Sequence, residues 1–211
     1  MTEPWVFGEP PLDQTRRFAD VARRVASLAV ALEGDSAALA EVIAALERAE
    51  PALAAEVPAE LRPRVGDRTD GRVYLDHAGD IGSFNPAVPE YAIHVDGDQA
   101  TGTVTFPLLY EGPPGCVHGG FLAVFFDCVV QHHNCALGQS GHTVSLTLGY
   151  RAPAPLLREL QFALQRTVDG RRLRTTGTLS AGDRVCVTCD IETTAIDPAK
   201  MPPWSPRRPG G

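Results

Sequence analysis

The sequence predicts an α+β domain in which a curved antiparallel sheet wraps one long buried helix, and three observations lead to this prediction. Residues 118–137 form a long apolar segment, in which Asp127 is the one strongly polar residue between positions 121 and 130. The segments on both sides alternate apolar and polar residues, which is the period of a strand with one buried face. Turn motifs separate pairs of these segments at 96–98 and 169–170. A helix that is apolar on every side is buried, and a curved sheet can bury it.

The composition of the 211-residue chain argues against nucleic-acid and membrane functions. The net charge is −7 at pH 7 and the pI is about 5.3, and no basic patch of the kind that binds nucleic acid stands out. No stretch approaches the ~20 apolar residues of a membrane span. Arg16 and Arg17 stand where a secretory signal would need an apolar run. We therefore expect a soluble, cytoplasmic protein with no nucleic-acid partner and no membrane span.

The cysteines are expected to be free thiols, because there are five of them in a chain without a secretory signal. Cys186 and Cys189 form a Cys-x-x-Cys motif, but it lies in a predicted strand, where positions three apart face opposite sides. No second motif of this kind completes a zinc site. We interpret both residues as small apolar side chains of the core.

The N-terminal part, residues 1–61, is predicted to be a helical extension. Apolar residues at helical spacing predict one helix over 13–33 and a second over 35–49, and a short third helix is possible near 51–61. We expect this extension to cover a sheet face or a subunit contact. Residues 62–90 are rich in Gly, Pro and Asp and are interpreted as an irregular connection.

The sheet is predicted within residues 91–197, as two strands before the long helix and a four-stranded meander after it. This α+β arrangement is called the hot-dog fold. Residues 198–211 are interpreted as a flexible tail. In the first strand after the helix, alternation predicts that Val144, Leu146, Leu148 and Tyr150 share one face, and that Thr143, Ser145, Thr147 and Arg151 share the other. The predicted strands are 91–95, 100–106, 143–151, 159–168, 171–180 and 184–196.

The aspartate inside the apolar helix is the first candidate functional residue. An ionised carboxylate in apolar surroundings is costly unless it is paired or hydrogen-bonded, so proteins rarely keep one without a use for it. We therefore consider Asp127 a candidate catalytic residue. The alternative is a structural aspartate, which is solvated at a subunit seam or bonded to a backbone amide.

The residues that open the helix are the second candidate. His118-Gly119-Gly120 follow a Pro/Gly loop, and a helix N-terminus presents unpaired N–H groups with a partial positive charge. Glycines let a ligand approach those N–H groups closely, so this start could bind an oxyanion. The alternative is a packing turn, in which the glycines only allow the helix to enter the sheet.

The two candidates cannot serve one substrate within a single chain. Nine residues of helix separate His118 from Asp127, which is about 13–14 Å of rise, and the two point to roughly opposite sides of the axis. A shared substrate therefore demands a two-fold dimer, in which one chain supplies the glycines and its partner supplies the aspartate.

Four motifs, taken in order, resemble the hot-dog-fold acyl-CoA thioesterases of the phenylacetate-pathway (PaaI-like) type, in the superfamily of 4-hydroxybenzoyl-CoA thioesterase. They are EGPPGCVHGG at 111–120, the spacing from its His-Gly-Gly to Asp127, the later TVSLTLGYRAPAP at 143–155, and the Asn85-Pro86 dipeptide. The resemblance covers roughly residues 80–197 and leaves the N-terminal helices outside.

The resemblance implies a catalytic role for each matching residue. Gly119 or Gly120 would donate its backbone N–H to the thioester oxygen, and Asp127 of the partner chain would act as general base on water or attack directly. Thr143 would help to position the water or the carboxylate, and His118 would hold the loop or contact the thioester. Some relatives carry an Asn six residues before the His, where this chain has Gly112, so the role of that Asn is missing or supplied otherwise.

The expected substrate contacts follow from the same resemblance and from the chemistry of coenzyme A. Asn85 and Phe121 are candidates for the pocket, although Phe121 could simply fill the core. Arg151, Arg158 and Arg172 could bind the phosphates of coenzyme A, or could be solvated surface residues.

Thioester hydrolysis needs a stabilised oxyanion and an activated water, so neither a metal nor a cofactor is required, and coenzyme A enters only as part of the substrate. The adjacent His132 and His133 diverge around the helix and suit polar contacts better than a metal site. Two alternatives to a thioesterase remain. One is a hydratase or dehydratase on the same fold, which would pair Asp127 with a histidine such as His118 or His142. The other is a non-catalytic acyl-CoA-binding protein.

Overall fold

The computed structural model describes residues 13–57, 82, 84–139 and 141–195. These ranges contain three α-helices, a 3-10 turn at Leu108–Tyr110 and one antiparallel sheet of six strands in the order β1-β2-β4-β5-β6-β3. The helices are α1 (Asp13–Val30), α2 (Ala37–Glu56) and α3 (Gly119–Ala136). The strands are β1 (Tyr91–Asp96), β2 (Gln99–Thr105), β3 (Gly141–Tyr150), β4 (Glu159–Asp169), β5 (Arg172–Ala181) and β6 (Arg184–Ala195).

The core of the molecule is the contact between α3 and the concave face of the sheet. Phe125 is completely buried, and its ring meets Phe106 edge-on at 5.6 Å and Phe162 of β4 at 5.3 Å between centroids. Burying a side chain of this size stabilises the fold by about 1.5–3 kcal/mol, and edge-to-face ring pairs add to that. The predicted hot-dog arrangement, a long central helix wrapped by an antiparallel sheet, is confirmed.

One stripe of α3 is not buried, and here the prediction that the helix is covered on every side is wrong. Gly120 is exposed, Val124 is 39% exposed and Asp127 is half-buried. These positions are four and three residues apart and therefore lie on one side of the helix. The sheet covers the opposite side, which carries Phe125, so within the chain Asp127 borders solvent.

The strand order departs from the predicted meander. β3 follows α3 in the sequence but pairs with β6, the last strand, and not with β4. The helix carries the chain across the sheet, so β3 becomes an edge strand at the end opposite to β1. The unpaired backbone groups of β3 therefore lie beside the open stripe of α3.

The N-terminal helices differ from their prediction in length and number. α2 continues through Pro51 to Glu56, so residues 51–56 belong to α2 and not to a separate third helix. Positions 58–61 lie outside the described residues. α1 packs on the 3-10 turn, where buried Arg23 donates to the carbonyl of Val88 at 2.9 Å. α2 has no buried residue. Most of the predicted connection and the whole predicted tail also lie outside the described residues.

The cysteines agree with their interpretation as core residues. All five cysteines are free thiols, and Cys186 and Cys189 are both buried. Burial raises the pKa of the Cys189 thiol to about 12, with a smaller contribution from the charge of Asp190. Such a thiol is neutral at physiological pH and does not act as a ligand or nucleophile. No described helix is long and apolar enough to cross a membrane.

Near its C-terminal end, α3 is hydrogen-bonded to the β1–β2 hairpin through the buried His133. The Nε2 of His133 hydrogen-bonds the carbonyl of Gly97, in the β1–β2 turn, at 2.8 Å. Burial lowers the pKa of His133, and nearby Arg166 lowers it further, whereas the Gly97 carbonyl and Asp98 act in the opposite direction. His133 is therefore built into the fold as a neutral ring.

We expect His133 to make the protein less stable in acid. Its pKa is lower in the folded state, so the unfolded chain binds the proton first, and stability falls as the pH drops below the ordinary histidine pKa of about 6.5. His133→Gln keeps a donor but cannot titrate, so its loss of stability between neutral and mildly acidic pH should be smaller than that of the wild type. Urea unfolding at several pH values measures this. His94→Gln, at an exposed position of β1, is the control. An equal pH dependence in the wild type and in His133→Gln would contradict the prediction.

Candidate active site

The start of α3 holds one backbone N–H that has no partner. His118 is the N-cap, and its Nδ1 accepts a hydrogen bond from the N–H of Gly120 at 3.0 Å. The carbonyl of His118 accepts from the N–H groups of Phe121 and Leu122. Within the described part of the chain, the Gly119 N–H makes no hydrogen bond. Of the two glycines that sequence reasoning could not separate, Gly119 is the one whose N–H is available to a ligand.

The hydrogen bond of His118 also determines its protonation form. Since Nδ1 accepts a hydrogen bond from an amide N–H, it carries no proton itself, and the proton of the neutral ring is on Nε2. His118 thus presents a donor and not a base on its outer nitrogen. It can orient a carbonyl oxygen, but it cannot take a proton from water in this form.

The loop before the helix is held tightly against His118. The His118 N–H donates to the carbonyl of Tyr110 at 2.9 Å, and the Gly115 N–H donates to Oε1 of Glu111 at 2.7 Å. A Cβ on Gly112 would lie 2.7 Å from the Cα of His118. A side chain such as the Asn of some relatives therefore does not fit at position 112 with this loop conformation.

Asp127 is hydrogen-bonded to a strand residue of its own chain. The hydroxyl of Thr143, near the start of β3, donates to Oδ1 of Asp127 at 2.7 Å. This occupies one carboxylate oxygen and leaves Oδ2 directed away from the bond. Thr143 and Asp127 thus form a single hydrogen-bonded unit.

A β-bulge orients Thr143 towards the helix, and it corrects the predicted alternation of this strand. Thr143 pairs with Thr193 and Ser145 with Glu192, so Val144 is an extra residue without a partner on β6. The extra residue shifts the phase of the strand. Thr143 consequently faces the helix together with Leu146, and Val144 is 61% exposed, where plain alternation predicts the reverse.

The two ends of the candidate site remain apart within one chain. Eight residues of helix separate Gly119 from Asp127, which is about 12 Å of rise. A single carbonyl group cannot touch the Gly119 N–H and the Asp127 carboxylate of the same helix. Among the described residues, none pairs with the outer edge of β3, and the stripe of α3 with Gly120 and Val124 is exposed.

Phe121, one of the residues predicted to bind substrate, lies in the first turn of α3. Its ring meets Tyr110 at 5.0 Å and His118 at 6.0 Å between centroids, and it is half-buried. Asn85 is exposed and its Oδ1 accepts from the Ala87 N–H at 2.9 Å, a local turn within its own loop.

The three candidate arginines are exposed and lie at two ends of the sheet. Arg151 and Arg158 follow β3 and precede β4, at the same end as Gly119. Arg172 is the first residue of β5 and pairs with Thr194 of β6. Thr194 also pairs with His142 at the start of β3, so Arg172 lies at the end of the sheet opposite to Gly119. The fold of one chain therefore does not bring the three together.

Sequence reasoning did not select Tyr150, which is adjacent to the free N–H. This residue ends β3, is 59% exposed, and its hydroxyl donates to the carbonyl of Gly119 at 3.1 Å. The sequence contains a signal for this residue, because Tyr150 begins a Tyr-x-x-Pro motif in segment 143–155, which contributes to the family resemblance. The resemblance implied no role for Tyr150 itself. Only the fold brings the end of β3 over the start of α3.

A cavity of about 790 Å³ lies elsewhere, between α1 and the β1–β2 hairpin. Arg16, Arg23, Tyr91 and His132 are among its lining residues, and neither Gly119 nor Asp127 borders it. Two of its charged side chains, Arg23 and Glu90, lie 3.4 Å apart as an ion pair. In the described ranges, no three His, Cys, Asp or Glu side chains come together as a metal site.

Comparison with solved structures identifies similar folds. A thioesterase superfamily protein, RHA08564, is 28% identical, with a TM-score of 0.68 over 90% of this chain and 100% of its own. A hypothetical thioesterase with coenzyme A from Streptococcus pneumoniae is 17% identical over 50% of this chain and 88% of its own, with a TM-score of 0.47. No protein-family model matches the chain, and no curated protein matches it.

We expect nitrogen NMR of His118 to show a proton on Nε2 and none on Nδ1 at a pH at which the ring is neutral, because Nδ1 accepts from Gly120. Long-range proton–nitrogen correlation spectra of a histidine-labelled sample distinguish the two tautomers. A His118→Asn variant, which retains an N-cap side chain, assigns the signals. A ring protonated on Nδ1 would contradict the arrangement described for the helix start.

Proposed function

We propose that this chain, which has the hot-dog fold of the thioesterase superfamily, hydrolyses acyl-CoA thioesters to the free acid and coenzyme A in the manner of the PaaI-like enzymes. One observation carries the proposal: a free N–H at the start of α3 and a carboxylate oriented by Thr143 flank the same uncovered surface. The similarity to RHA08564 over its whole length supports it at the level of the superfamily.

In the proposed mechanism, the thioester oxygen accepts a hydrogen bond from the Gly119 N–H. The partial positive charge of the helix N-terminus strengthens this contact as the oxygen becomes negative. In this mechanism the Nε2–H of His118 acts as a second donor. Removing a single donor of this kind costs about 10²–10³ in rate in enzymes with comparable sites, which is a substantial part of the catalysis required.

Asp127 of the partner chain supplies the second half of the reaction. Its Oδ2 takes a proton from water while the water oxygen adds to the carbonyl carbon, and collapse of the tetrahedral intermediate expels the thiolate, which takes up that proton. The alternative route is direct attack by Oδ2, which expels the thiolate and leaves a mixed anhydride that water then cleaves. In both routes the Thr143 hydrogen bond holds the carboxylate in one orientation.

The proposed enzyme is a homo-oligomer with shared sites. The stripe formed by Gly120, Val124 and Asp127 and the edge of β3 are uncovered in the chain, and a two-fold partner that covers both would close the 12 Å gap, about eight residues of helix rise. The N-terminus of one α3 would then face Asp127 of the other. Arg151 and Arg158 would lie near the entrance, where they could bind coenzyme A phosphates.

The first test is release of free thiol from short, long and aromatic acyl-CoAs. We expect the wild type to hydrolyse at least one class and Asp127→Asn to lose at least ~10²-fold in kcat, because the amide can neither take a proton nor attack. Asp183→Asn, in the exposed turn before β6, is the matched control. Saturable binding of acyl-CoA without turnover in the wild type would favour the binding-protein alternative. Addition of water across an enoyl-CoA, without thiol release, would favour a hydratase.

The shared site is tested by mixing two inactive chains. Gly119→Pro removes the N–H at the first helical position, which tolerates proline, and also adds a Cβ. Gly119→Ala adds the Cβ but retains the N–H, so the difference between the two variants measures the loss of the N–H. Co-expression of Gly119→Pro with Asp127→Asn should restore about a quarter of wild-type activity, since half of the dimers are mixed and each mixed dimer has one intact site. No restoration in verified mixed dimers would contradict a site built from two chains.

A further inference from the structure

The geometry points to Tyr150 as a positioning residue for the Gly119 N–H. The inference rests on the proposed function for its catalytic consequence, but the contacts that carry it belong to the chain alone. The Tyr150 hydroxyl donates to the carbonyl of Gly119 at 3.1 Å, although the side chain is 59% exposed and the core does not hold it in place.

The peptide group between Gly119 and Gly120 is held at both of its polar ends. Its carbonyl accepts from Tyr150, and its N–H donates to Nδ1 of His118 at 3.0 Å. A rotation of this planar unit would break both hydrogen bonds at once. Two hydrogen bonds on one peptide group also polarise each other, so each is stronger in the presence of the other.

This restraint matters because two consecutive glycines open the helix. Glycine has the most freely rotating backbone of all residues, so Gly119 and Gly120 alone would sample several orientations at the first turn. The N–H of Gly119 lies next to the restrained peptide group and points correctly only when Gly119 keeps its helical conformation. Together with the bonds that the His118 carbonyl accepts from Phe121 and Leu122, Tyr150 and the His118 side chain reduce that freedom before a substrate arrives, which is the preorganisation that an oxyanion donor requires.

Tyr150 also gives a reason for glycine at position 119. A Cβ built on Gly119 would lie 2.9 Å from the Tyr150 hydroxyl and 3.2 Å from Cζ. Alanine at this position would therefore displace the phenol from the Gly119 carbonyl. Gly119→Ala and Tyr150→Phe should remove the same hydrogen bond by different routes.

The kinetic test compares Tyr150→Phe with the wild type on the best acyl-CoA substrate. We expect kcat to fall about 3- to 10-fold, the range of one hydrogen bond, while KM stays within about twofold, because the bond affects the transition state through Gly119. The kcat of Gly119→Ala should fall by a similar factor, and the kcat of the double variant should be no lower than that of either single variant. Thr147→Val, which removes an exposed hydroxyl from the same strand, is the control and should keep its activity.

A second measurement does not depend on catalysis. Amide hydrogen exchange at Gly120, whose N–H is bonded to His118, should be several-fold faster in Tyr150→Phe than in the wild type, and unchanged at the centre of α3. Faster exchange in a protein that hydrolyses no thioester would support the role of Tyr150 and reject the proposed function. Unchanged exchange and unchanged kcat would overturn the inference. A raised KM with unchanged kcat would also overturn it, since Tyr150 would then contact the substrate directly.

Discussion

The packing of one face of α3 against the sheet determines where every other part of the candidate site lies. Phe125 and its aromatic neighbours bind this face to β2 and β4, and they set the rotation of the helix about its axis. Once that rotation is set, the opposite stripe with Asp127 must face away from the sheet. Asp127, the one strongly polar residue of the apolar segment, therefore lies at the border of the core and not inside it.

The edge strand completes the surroundings of that charge. The crossover through α3 carries the chain to the free side of β6, so β3 lies beside the open stripe. A regular strand would turn Thr143 away from the helix, and the bulge at Val144 turns it back to Asp127. A single extra residue thus changes which side chains of β3 face the helix, which is a common use of bulges near functional sites.

The start of α3 shows how hydrogen bonds can select one donor among several. A helix N-terminus offers several unpaired N–H groups, which differ little in the sequence. His118 occupies that of Gly120, and Tyr150 restrains the carbonyl on the same peptide group, so the Gly119 N–H is left available in a defined direction. The rise of the helix then separates this donor from Asp127 by about 12 Å, so a single carbonyl group cannot contact both within one chain.

The sequence by itself determined the α+β class, the six strands within a few residues, the long helix and the candidates Asp127, His118 and the glycine pair Gly119-Gly120. These depend on local periodicity and residue chemistry, which can be read along the chain. The tertiary structure alone decided the position of β3 at the edge, the phase of Thr143 and the contact of Tyr150 with Gly119. Alternation cannot reveal these features, because a bulge changes the period by one residue and a contact between positions 31 residues apart depends on the path of the chain.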